Sequence, residues 1–355
     1  MVGAFMNFLK RTKVRTDVYD WLRGLASIAV ICGHFYPFNL SKNYFAWAVH
    51  AFVLLSMALL SSQKLTAEKL IRRIAYLVFV YLMLIAIFHP IFRIVQGSPH
   101  ADLSSMFLKP SGIFIDHPYF MHLWYLALYL QMIFFVFFTG TWLNKANGVR
   151  IIALSFIVSQ ILFLLTYFVA GRYRTIFLPS WCFVMACGYY GLPRLVNWSQ
   201  FQPAGRKLRC TLAFAAVFFF WIVKPLDMWL SNSETRMFAL NTFYFFAAVY
   251  FLMELYFLLD ERRLAIRFRK AINSISRYTL ILYIYHQGFY QLAKDFMPNT
   301  FLLTVFSIAT GYIVAFFIHN LYLTLESLII KLLRTLTGSA ADKMKLAPNG
   351  RINGN

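Results

Sequence analysis

Residues Ile74 to Val95 read IAYLVFVYLMLIAIFHPIFRIV, in which Arg93 is the single charged side chain. Wound as an α-helix at ~1.5 Å per residue, such a stretch is long enough to cross the ~30 Å hydrocarbon core of a bilayer. Runs of the same kind recur at Trp21–Phe38, Tyr44–Leu60, Tyr119–Gly140, Ile151–Ala170, Ile176–Leu192, Cys210–Pro225, Met237–Leu259, Tyr278–Phe296 and Phe301–Ile330. The last is long enough to tilt or protrude. Hydrophobic residues make up 60% of the 355-residue chain and charged residues 13%, which leaves no material for a separate soluble domain. The expected fold is therefore all-α, a polytopic membrane helix bundle of about ten transmembrane helices.

The formal net charge of +21 would point to a nucleic-acid partner in a soluble protein. Here the basic residues follow the loops. With the N-terminus in the cytoplasm, Lys and Arg favour the cytoplasmic side by roughly three to one, which is the retention rule for short loops. Lys10, Arg11, Lys13 and Arg15 precede the first span, Lys64, Lys69, Arg72 and Arg73 follow the second, and Arg262 to Lys270 lie between the eighth and ninth. Both termini are expected in the cytoplasm, with membrane lipids rather than nucleic acid as neighbours. The N-terminal basic cluster could pass for the start of a signal peptide, but Trp21–Phe38 ends without a small-residue cleavage pattern, so it reads as a retained helix. The chain divides into a basic cytoplasmic N-terminus (1–17), a transmembrane domain (18–336) and a polar, disordered cytoplasmic tail (337–355). Cys32, Cys182, Cys187 and Cys210 lie in or beside apolar runs without CxxC spacing, so neither disulfides nor a metal site is expected.

Ionisable groups within spans cost at least ~2.5 kcal/mol at the helix centre, which makes them functional candidates. The first helix carries the clearest set: Asp20-Trp21-Leu22-Arg23-Gly24-Leu25-Ala26, then His34. Eleven residues separate Arg23 from His34, so on a helix they return to within about 20° of one direction, roughly 16 Å apart along the axis. One face thus joins a cytoplasmic cation to an imidazole in the outer half. Asp20 shares that face one turn from Arg23 and can pair with it.

The segment Asp20-x-x-Arg23-Gly24-Leu25-Ala26 followed by His34 resembles the first-helix signature of the integral-membrane acyltransferase 3 family. Further resemblances keep the family's order. Phe52-Val53-Leu54-Leu55-Ser56 is similar to its FFVLSG segment, and Arg72-Arg73 to its basic opening of the third helix. Leu123-Trp124-Tyr125-Leu126 with Gln131 resembles its LWSLSVEEQ segment, Ser276-Arg277-Tyr278 through Tyr285-His286 its SYSIYLxH segment, and Leu325-Glu326 its closing acid. The chain departs from that pattern at Met57, Tyr129, Leu130 and Ser327, and no proline follows Arg73. The carboxylates of the family's fourth helix are therefore missing here.

The resemblance implies O-acyl transfer from cytosolic acetyl-CoA or another acyl-CoA to a hydroxyl of a cell-envelope or exported polysaccharide. No permanently bound cofactor is implied. The expected location is a bacterial cytoplasmic (inner) membrane, with polysaccharide biosynthesis or export proteins as further partners. Such transfer needs a base for the hydroxyl proton and donors for the tetrahedral oxyanion. His34 is the candidate base, since a neutral imidazole can take that proton and return it to the leaving thiolate. The distance from Arg23 to His34 matches an extended pantetheine arm. Arg23, Lys69, Arg72 and Arg73, at one membrane face, are the candidate ligands for the nucleotide phosphates. Asp20, Ser56, Tyr285 and His286 are supporting candidates. Asp116 and Trp124, beside the long outer loop, are acceptor candidates suited to carbohydrate. Glu254 lies near the cytoplasmic end of its helix and is expected to pair with a basic neighbour. The alternative function is a multi-pass glycan or lipid exporter without acyl-transfer chemistry.

Overall fold

The computed structural model describes residues 16–34, 47–96, 124–170, 181–230, 238–259, 263–293, 296–297 and 300–337. Among these residues the chain is helical and contains no strand. Apolar runs with few polar interruptions leave backbone groups no partner but the helix itself, which is why these sequences wind as α-helices. The helices are α1 (Thr16–His34), α2 (Trp47–Ser61), α3 (Ala67–Gln96), α4 (Trp124–Lys145) and α5 (Gly148–Ala170). Helix α6 begins at Cys182–Ala186, passes through a π-helical turn at Cys187–Gly191 and continues as Leu192–Phe201. Then come α7 (Arg206–Leu230), α8 (Phe238–Leu259), α9 (Arg263–Ser276), α10 (Thr279–Ala293) and α11 (Thr300–Thr337).

The described part of each of the ten predicted apolar runs falls on one helix. Three stretches are long and apolar enough to cross a membrane by length and composition, namely Ala67–Phe88, Tyr125–Lys145 and Phe301–Lys331, and Trp47–Ser61, Gly148–Leu162 and Tyr244–Leu259 are shorter apolar helices. The eleventh helix, α9, occupies what the charge count treats as a cytoplasmic loop. The described part of α1 begins at Thr16, beside the expected boundary between the basic N-terminus and the transmembrane domain. Otherwise the N-terminal segment, the tail beyond Thr337 and the outer loop from Gly97 to Leu123 lie outside the described residues.

Helices α1, α2, α8 and α10 form the centre. In α2 ten of the fourteen residues from Trp47 to Leu60 are buried, and in α10 the consecutive residues Ile281 to His286 are buried on every face. A helix buried all round must be largely apolar, which makes the buried His286 stand out. The outer helices carry large apolar side chains on their exposed surfaces: Phe138 of α4 is 76% exposed, Phe219 of α7 61% and Phe317 of α11 66%. Apolar surface on this scale is stable against lipid and not against water.

Two glycines set close approaches. A Cβ at Gly24 of α1 would overlap the carbonyl oxygen of Ile272 in α9, so only glycine lets these backbones touch. In the π-helical turn of α6, a Cβ at Gly188 would come within 2.5 Å of the Leu54 carbonyl oxygen and 2.9 Å of its Cα, which seats α6 against α2.

Candidate active site

Helix α1 is continuous from Thr16 to His34, so Arg23 and His34 stand three turns apart on one rigid rod. The His34 side chain lies outside the described residues. At the other end, Arg23 forms a salt bridge with Asp20, one turn earlier, both side chains being partly exposed. The Arg23 Nε is buried and has no hydrogen-bond acceptor among the described residues. Ser27, one turn further on, donates to the Arg23 carbonyl at 2.8 Å and lies 3.0 Å from Thr279 Oγ1, tying α1 to the start of α10. Tyr256 donates to the Asp17 carboxylate, and Trp21 Nε1 donates to the Leu252 carbonyl at 3.0 Å, tying α1 to α8. These bonds orient the helix about its own axis, and so determine which way the Arg23 face looks.

Between the Arg23 end and the middle of the bundle lies a polar and aromatic seam. Ser56 Oγ and Tyr125 Oη are 3.0 Å apart. The Tyr125 ring packs against Phe52, Tyr129 and Tyr283, and Tyr125 is within electrostatic reach of Arg23. The Tyr283 ring centroid is 6.0 Å from that of His286. His286 is fully buried, with Nδ1 3.2 Å from the Leu282 carbonyl. A carbonyl only accepts, so Nδ1 is the donor in this contact. Tyr285 points the other way, donating to the Val80 carbonyl at 3.1 Å and packing on Phe88, which fastens α10 to α3. Ser56 and His286 thus reach a common seam, while Tyr285 holds two helices together.

Lys69, Arg72 and Arg73 occupy the first turns of α3. Arg72 is 3.0 Å from Glu68 and 3.9 Å from Glu326, Arg73 donates to the Gln63 side chain at 2.8 Å, and Lys69 lies 3.4 Å from the Lys64 carbonyl. Helix α3 packs on α4, α10 and α11, whereas α1 packs on α2, α8, α9, α10 and α11. The cations of α3 and Arg23 therefore sit on helices that share α10 and α11 as neighbours. Glu68 and Glu326 offset part of the Arg72 charge. Asp116 lies outside the described residues, as does the side chain of Trp124, which opens α4.

Across residues 17–320 the chain matches the family model described as an acyltransferase domain. The chain belongs to the acyltransferase 3 family. It has no significant match among curated proteins or among solved structures. The match spans α1 to most of α11, so in this acyltransferase 3 chain the helical core itself is the acyltransferase domain. It includes Arg23, His34, Ser56, the α3 cations and His286, and stops short of Glu326.

One group of polar residues escaped sequence reasoning. Tyr76 Oη is 3.4 Å from His319 Nδ1, Tyr322 stands edge-on to Tyr76 and Tyr278 to His319, and Tyr312 in turn packs edge-on to Tyr278. The spacing of Tyr312, His319 and Tyr322 along one helical face is a signal that was available, but aromatic residues at such spacing are common in apolar helices. Glu254, in turn, is fully buried and accepts from Ser199 at 2.8 Å and from Arg209 at 3.0 Å, with Arg206 at 4.0 Å. Its position near a cytoplasmic helix end gave the expectation of a basic partner. That there are two, both on α7, follows only from the fold. Among the described residues no cluster of His, Cys, Asp or Glu could hold a metal ion.

Proposed function

We propose that this protein is a membrane O-acyltransferase that moves an acyl group, acetyl in the simplest case, from cytosolic acyl-CoA to a hydroxyl of a cell-envelope or exported polysaccharide. Family membership supports acyl transfer over export. The observation that carries the finer reading is the continuous α1 helix with Arg23 at one end and His34 at the other. In this account ten helices span a bacterial cytoplasmic membrane, both termini lie inside, and polysaccharide biosynthesis or export proteins act on the same glycan.

The nucleotide of acyl-CoA docks at the cytoplasmic end, where Arg23 has a buried donor to spare and Lys69, Arg72 and Arg73 line the head of α3. The pantetheine arm runs along the α1 face for roughly 16 Å, three helical turns, and delivers the thioester to His34. Neutral His34 takes the proton of the acceptor hydroxyl as its oxygen attacks the thioester carbonyl. The tetrahedral oxyanion collapses, the C–S bond breaks, and the imidazolium returns the proton to the leaving thiolate. Free CoA and the O-acylated glycan result, with His34 neutral again. Asp116 and Trp124 are proposed to meet the acceptor sugar on the outer side. Asp20 holds Arg23, and Ser56 and His286 supply polar contacts along the path.

The test is label transfer by purified protein in detergent from radiolabelled acetyl-CoA to a mixed envelope-glycan acceptor. Label appearing on glycan is the expected result. Label that stays on CoA across a panel of acyl chains and glycans would contradict the proposal.

A further inference from the structure

Helix α9, Arg263–Ser276, differs from every other helix in the bundle. It is short, and between Arg263 and Arg277 the sequence contains five basic residues and no acid. Ile272 and Ser276 are buried. Arg269 on the same side stacks its guanidinium over Tyr256 at 4.8 Å, and Asn273 donates to the Asp17 carbonyl at 3.4 Å. The opposite face is exposed along Arg267, Lys270 and Ala271, with Ser274 half-buried and Arg277 exposed in the turn that follows. Residues 267, 270, 274 and 277 are three and four apart, so they form one ridge. Beside the ridge Phe268 is 53% exposed while its ring stands edge-on to Trp21.

The position of α9 is determined by three contacts with the first turns of α1: Asn273 with Asp17, Phe268 with Trp21, and Ile272 with Gly24. It is therefore pinned across the Arg23 end of α1, the end placed at the cytoplasmic membrane surface by the charge distribution. A cationic ridge alone would suit any polyanion. A cationic ridge bordered by an exposed phenylalanine, on a helix held at a membrane surface, is complementary to anionic headgroups with acyl chains beside them.

We infer that α9 is an in-plane interfacial helix whose ridge of Arg267, Lys270 and Arg277 binds anionic phospholipid of the cytoplasmic leaflet, with Phe268 entering the boundary between headgroups and chains. Because Gly24 touches α9 directly, lipid held on the ridge also holds the segment of α1 that carries Arg23. The inference does not depend on acyl transfer being the reaction.

The experiment uses the full chain, purified in neutral detergent and titrated with phosphatidylglycerol or with phosphatidylcholine, bound lipid being read by native mass spectrometry. Wild type is expected to retain phosphatidylglycerol over phosphatidylcholine, and salt is expected to erode the preference. Arg267→Gln with Lys270→Gln should weaken phosphatidylglycerol binding by roughly fivefold per cation removed. Arg267→Lys with Lys270→Arg should keep it. Thermal unfolding in phosphatidylcholine nanodiscs identifies a variant that has merely lost its fold. Equal retention by wild type and by a folded glutamine variant would overturn the inference. So would displacement of the lipid by inorganic phosphate or coenzyme A at matched ionic strength, which would make the ridge a phosphate site rather than a membrane contact.

Discussion

Gly24 of α1 faces the carbonyl oxygen of Ile272 in α9 with no room for a Cβ between them. The two backbones meet at the point where α1 carries Arg23, one residue away. Gly24→Ala must push α9 off α1 or bend one of them, and neither atom at the contact is a flexible side-chain end. The expected loss is about 1–3 kcal/mol, the usual cost of overpacking. It would be read as a lowered midpoint of thermal unfolding in detergent, with Gly24→Val lower still. An unchanged midpoint for both would show that α9 is not packed as described.

Glu254 and its two arginines give a second prediction. Removing the carboxylate with Glu254→Ala leaves Arg206 and Arg209 facing each other at low exposure, 11% and 16%, and should destabilise by about 3–5 kcal/mol. Glu254→Gln retains an acceptor for Ser199 and should lose less. Chemical or thermal unfolding of the two variants side by side checks the order, and a larger loss for Gln would contradict it.

The helical character was legible in the sequence because apolar length is a strong signal, and the described part of each apolar run is helical. The amphipathic helix α9 was not, since Arg267, Arg269 and Lys270 were counted as loop charge and the intervening Ile266, Ile272 and Ile275 were too few to form an apolar run. The spacing of Arg23 and His34 put them three turns apart on one helix, and α1 runs unbroken through both. The site was not legible where contact depends on which helices become neighbours. Nothing in the spacing of Ser56 and Tyr125 announces a hydrogen bond between α2 and α4, and nothing in Arg72 announces its approach to Glu326 of α11.

That hydrogen bond gives a third prediction. Tyr125 is buried and Ser56 half-buried. Ser56→Ala breaks this hydrogen bond and should cost about 0.5–1.5 kcal/mol, and Tyr125→Phe added to Ser56→Ala should cost less than Tyr125→Phe alone. A double-mutant cycle on the unfolding midpoint reads the coupling directly. Additive effects would mean that the two hydroxyls do not interact.

Arg72 tests the donor end. Arg72→Glu reverses a charge already close to Glu68 and Glu326. Acyl-CoA affinity measured by calorimetry on correctly folded protein should fall at least about tenfold, the loss expected when a charged hydrogen bond to phosphate is removed. Glu326→Gln, which unburdens Arg72, should not weaken binding. Unchanged affinity in Arg72→Glu would remove α3 from the nucleotide site.

The central claim is that His34 performs the proton transfer. The most direct measurement compares wild type with His34→Gln, both shown to be folded and to bind acetyl-CoA, in single-turnover acetylation of a glycan acceptor. The account expects acyl-CoA affinity to stay within a few-fold while the transfer rate falls by roughly 10²–10⁴, the contribution of a positioned general base. A folded His34→Gln protein that transfers the acyl group at the wild-type rate would contradict it.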